Sequence, residues 1–140
     1  MKKVFLCALF VCSMTAGWGQ PPAPSAAAVK TIFAFGGDWN PGFIRYIAGL
    51  TGKARPKICF IPTASADNPY AIGYWYEMCV HLPVEPSVLR TFINSSPGQK
   101  SFEETLLAVD AILVGGGNTL NMLAIWKAQG IDTVLRKAYE

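Results

Sequence analysis

Histidine is almost missing from this 140-residue chain, with His81 its one example, and the four cysteines Cys7, Cys12, Cys59 and Cys79 stand singly. No His/Cys cluster with metal-ligand spacing can be drawn from them, so no metal site is expected. Charge is also sparse. The 12 Lys and Arg against 9 Asp and Glu form no basic stripe, which removes a nucleic-acid backbone as a partner. No apolar run is long enough for an ordinary membrane span: the longest, from Val4 to about Met14, falls well short of the roughly 20 residues needed. Neither glycine-rich stretch, FGGDWN nor VGGGNT, has the G-x-G-x-x-G of a dinucleotide fold or the lysine that follows the last glycine of a phosphate loop. Nucleotide binding is therefore weakly supported, and no cofactor is expected.

What is present begins with an export signal. Lys2 and Lys3 precede the short apolar run, and small residues follow up to Gly17 and Gly19. That is the layout of a secretory signal peptide over 1–19, which places the mature protein in the periplasm or outside the cell. The Pro- and Ala-rich stretch over 20–29 reads as a joint, and 30–140 as the domain. Without the leader, ten basic residues face nine acidic ones, and the only cysteines are Cys59 and Cys79. Both lie in apolar runs and read as small buried residues rather than as a disulfide framework.

From Thr31 the pattern alternates between short apolar runs and helical stretches. TIFAF (31–35), KICFI (57–61), SVLRTF (87–92) and AILV (111–114) predict strands. Helices are predicted over about 42–50, from the Asn68–Pro69 start, from a Ser101/Glu104 capping box through Ala108, from Asn118 or Thr119 to Gln129, and from Ile131 onward. Strands this apolar, separated by helices, predict an α/β fold with a parallel sheet covered by helices on both faces. In such a sheet, ligands bind where the strand carboxyl ends open into loops. Those loops are GGDWNP (36–41), PTASADNP (62–69), NSSPG (94–98) and GGGNT (115–119). Glycines after a buried strand allow positive φ and close approach, and they can aim successive N–H groups at one negative charge. A turn kept only for close packing remains an equal alternative on the pattern alone.

VGGGNTLNMLAIWKAQGIDTVLRKAYE, with FGGDWNP and KICFIPTAS, resembles the amino-terminal half of peptidase E and its relatives, serine peptidases that include the cyanophycinases. The resemblance runs from about Lys30 to Glu140. It implies a class I glutamine amidotransferase-like, flavodoxin-like fold, incomplete here, and hydrolysis of short peptides, in peptidase E those with an amino-terminal aspartate. It further implies that Gly115, Gly116 and Gly117 help form an oxyanion hole, with Asn118 and Thr119 shaping the substrate pocket. Gly37, Asp38, Trp39, Thr63 and Ser65 face the same edge as candidate substrate contacts, and helix capping is an alternative for the aspartates, Asp67 among them. The family's nucleophilic serine lies in a G-x-S-A-G turn on the next strand, and its histidine later. Neither position occurs in this sequence, so no catalytic residue is assigned and the 140 residues alone are expected to be inactive. His81 is expected to be a solvated or capping histidine, and Ser65 lacks the flanking glycines of a nucleophile turn. The alternative of another class is a non-catalytic protein that captures a small anion at the same glycines. Pairing into a homodimer is left open.

Overall fold

The structure, a computed structural model, describes residues 29–37, 39–92 and 98–140. The expected leader, most of the joint, Asp38 and four of the five residues of the 94–98 loop lie outside the described residues. Among the described residues five α-helices and three strands follow one another, with a 3-10 turn (Thr63–Ser65) after the first strand: α1 (Pro41–Leu50), β1 (Lys57–Ile61), α2 (Pro69–Cys79), β2 (Glu85–Val88), α3 (Phe102–Leu106), β3 (Ala111–Val114), α4 (Thr119–Gln129) and α5 (Ile131–Tyr139). The strands form one sheet in the order β2-β1-β3, and both pairings are parallel. This is the order of the first three strands of a flavodoxin-like sheet.

The central strand explains why both faces must be covered. Side chains alternate along a strand, and here Ile58 and Phe60 join a core with Ile44 of α1 and Trp75, Met78 and Cys79 of α2. Cys59 and Ile61 point the other way, into a second core with Leu106 of α3, Met122 and Trp126 of α4 and Ile131 of α5. Ile58, Cys59, Phe60 and Ile61 are all apolar because neither face of the strand meets water there.

Local signals set most helix ends. The Asn68 side chain accepts from Tyr70 N, with Pro69 in the first turn of α2. Ser101 and Glu104 exchange both bonds of a capping box at α3, which ends at Leu106, slightly before the expected Ala108. Gly130, in the left-handed conformation, closes α4.

Two strand expectations are corrected. TIFAF is not a strand: residues 31–35 pair with none of the described strands. Its alternate side chains Phe33 and Phe35 stack on each other and lie tilted against Phe43 of α1, while Ile32 stays exposed. Packing the rings on a helix satisfies the apolar pattern without a ladder. Four expected strands thus become three. The β2 strand also sits earlier than 87–92. Pro86 is tolerated because β2 is an edge strand, where a missing N–H need not break the ladder. The chain leaves the sheet where Thr91 N and Phe92 N donate to the Asp67 carboxylate instead.

Candidate functional site

The carboxyl ends of β1 and β3 lie side by side, and two backbone bonds join the loops that leave them. Gly115 N donates to Ile61 O at 3.0 Å, and Asn118 N donates to Ala64 O at 2.8 Å. Close approach explains two of the three glycines. A Cβ on Gly115 would come 2.8 Å from the Phe60 ring, and one on Gly117, whose φ is 140°, would come 2.2 Å from the Ala64 carbonyl. Gly116 faces open space.

The N–H donors at the two ends of this turn are engaged and those in its middle are not, among the described residues. The Gly115 and Asn118 N–H groups are used by β1 and its loop, and the Asn118 side chain accepts from Asn121 N at 2.9 Å as the cap of α4. Gly116 and Gly117 are exposed, and among the described residues their N–H groups meet no acceptor. They sit at the amino end of the 11-residue α4, where the helix dipole is positive. Two free donors beside a positive helix end can stabilise a carboxylate, a phosphate or a developing alkoxide.

The other residues singled out by sequence fall in different places. Gly37 is exposed with a φ of 81°, and Asp38 is outside the described residues. Trp39 is half-buried, stacked on Trp75 with 5.8 Å between ring centroids and tilted against Phe60 at 4.8 Å. Thr119 is exposed at the first position of α4. Ser65 lies next to Gly117, but its hydroxyl donates back to Pro62 O at 3.0 Å. His81 is exposed in the turn after α2. Cys59 and Cys79 are buried and free, and loss of hydration pushes both thiols up, Cys79 to about 11. Among the described residues no His, Cys, Asp or Glu group is arranged to hold a metal ion.

Sequence reasoning missed a buried polar cluster behind the turn. Thr63 faces inward, and its Oγ1 accepts from Trp126 Nε1 at 3.0 Å. Thr91 Oγ1 lies 3.0 Å from Thr63 Oγ1 and 3.4 Å from Asp67 Oδ1. Asp67 is neither a helix cap nor a surface group; it accepts from Thr91 N at 2.6 Å and Phe92 N at 2.8 Å. The one local hint was Trp126, since a buried indole N–H requires an acceptor. Nothing in the sequence said which.

Residues 33–140 match the model of Peptidase family S51. The chain belongs to that family. It is also 37% identical over 118 residues to a Bacillus subtilis (strain 168) protein named uncharacterized peptidase YgaJ, a match covering 80% of this chain and 50% of YgaJ. The chain therefore spans about half the length of that curated relative. The family match takes in the glycine turn, the 62–67 loop and all of the described sheet, in keeping with the flavodoxin-like fold.

Proposed function

We propose that this chain provides the oxyanion-stabilising part of a serine-type S51 peptidase that cleaves short peptides, including those with an amino-terminal aspartate. One observation carries the reading: the Gly116 and Gly117 N–H groups are exposed and meet no acceptor among the described residues, side by side at the positive end of α4. Attack on a peptide carbonyl moves negative charge onto its oxygen. Fixed donors aimed at that oxygen lower the barrier because they need no reorganisation during the reaction.

The attacking serine and its histidine belong, in this reading, to the part of such a peptidase that this chain does not span. Ser65 is held by Pro62, and the exposed His81 follows α2. The basic, apolar and small-residue order of 1–19 supports export of the mature protein.

The test compares the 140-residue chain with a longer protein that includes the rest of an S51 domain, both assayed on short aspartyl peptides. Turnover is expected only in the longer protein. There, Gly116→Pro, which deletes one donor, is expected to lower kcat on the order of a hundredfold. Turnover by the short chain, or an unchanged kcat in the variant, would overturn the reading.

A further inference from the structure

The polar cluster behind the glycine turn is more elaborate than stability requires. Two threonine hydroxyls, each with one hydrogen to give, stand between the Trp126 indole and the Asp67 carboxylate. Trp126 N–H donates to Thr63 Oγ1 at 3.0 Å, Thr91 O–H donates to Thr63 Oγ1 at 3.0 Å, and Thr91 Oγ1 lies 3.4 Å from Asp67 Oδ1. Gln129 Nε2 adds a bond to Thr91 O at 2.9 Å. Apolar side chains of similar shape would pack in the same place at little cost, because exchanging both partners of a buried hydrogen bond for apolar groups is nearly neutral. What they would not do is fix a direction.

Direction matters at this spot for two reasons. The loop carries two consecutive non-glycine residues in the left-handed conformation, Ala66 at φ 57° and Asp67 at φ 54°. Such a turn is costly by itself, and the backbone bonds to the Asp67 carboxylate oppose that cost. The same loop also grips α4 at two points: Ala64 O receives Asn118 N, and Thr63 Oγ1 receives the Trp126 indole. Gly117 is pressed against Ala64 so closely that no side chain fits between them. A rotation of the loop must therefore move the glycine turn.

We propose that Trp126, Thr63, Thr91 and Asp67 form a positioning unit that sets the direction of the Gly116 and Gly117 N–H groups through the Ala64 carbonyl. All four side chains are buried behind the turn. The role rests on the oxyanion reading above, but the geometry it claims can be measured without turnover.

The test uses the ¹⁵N-labelled 140-residue chain and three substitutions. Thr63→Val keeps the shape and breaks these bonds, Trp126→Phe keeps an aromatic ring and deletes the donor, and Thr63→Ser restores the hydroxyl. The first two are expected to shift the amide signals of Gly116, Gly117 and Asn118, and to make Asn118 exchange its amide hydrogen about tenfold faster, with Ile44 in α1 unchanged, as a local opening would. Thr63→Ser is expected to return the wild-type signals. Unmoved glycine amides in a folded Thr63→Val or Trp126→Phe protein would overturn the proposal, as would equal changes at Ile44 and Gly117. Should Thr63→Val not fold, Trp126→Phe decides. If the longer protein proves inactive on peptides while these amides move, the oxyanion reading fails and the positioning unit stands; the converse result separates them the other way.

Discussion

Of three neighbouring glycines, Gly115 and Gly117 are fixed by close approach and Gly116 faces open space, and single methyl groups can tell them apart. Gly117→Ala puts a carbon 2.2 Å from the Ala64 carbonyl at a φ of 140°, so the loop must move. We expect a loss of about 2 kcal/mol or more in urea unfolding. Gly116→Ala meets nothing within 4 Å and should stay within about 0.5 kcal/mol of wild type. Equal losses in the two variants would mean that the turn is built for packing alone. The thiols provide a second check at this scale. Burial raises Cys59, and raises Cys79 to about 11, so at neutral pH neither holds much thiolate, the reactive form. Peptide mapping after brief iodoacetamide treatment should find both unmodified in the native protein and both modified in urea. The glycine turn was legible in the sequence as a turn because its glycines are adjacent. The cluster behind it was not, since Trp126 and Thr63 are 63 positions apart.

Helices and strands differ in how far their causes reach along the chain. The starts of α2, α3 and α4 are written within three residues: Asn68 with Pro69, Ser101 with Glu104, and Asn118 with Asn121. All three helices were legible for that reason. For α4 the cap can be weighed: Asn118→Ala leaves Asn121 N without its acceptor and should cost about 1 kcal/mol by thermal or urea melting. Because Asn118 also ends the glycine turn, the same variant should move the Gly117 amide signal. Strands need a neighbour, which sequence does not name. KICFI and AILV found each other, with Cys59 opposite Ile112. TIFAF, equally apolar, packs its rings on α1 instead. The end of β2 is decided by Asp67, 24 positions before Thr91, a competition that no window over 87–92 contains.

For the whole molecule, the sheet has two chemically distinct ends. The carboxyl end opens into the glycine turn, while at the amino end a carboxylate ties β3 to β1. Asp110, just before β3, accepts from Lys57 N at 2.8 Å at the start of β1 and pairs with Lys53 from the loop after α1. The Lys53 ammonium and then the Lys57 N–H hold this carboxyl below its ordinary pKa. At α3, the Ser101 N–H holds Glu104 below its own ordinary value as well. A lowered folded pKa means that the unfolded chain binds more protons in acid, so stability rises with pH there. The contribution is complete above the ordinary carboxylate range, about pH 4, and is lost as pH falls through the lower folded values. Asp110→Asn isolates one part of this. It removes the charge but keeps an amide oxygen for Lys57 N, and should cost about 1 kcal/mol at neutral pH, mostly from the weakened hydrogen bond because Lys53 is largely exposed. The gap between variant and wild-type urea midpoints should narrow as pH drops below about 4, because wild-type Asp110 is then neutral too. A gap that stays constant down to the acid transition would show that the charge on Asp110 does not hold the amino ends of β1 and β3 together.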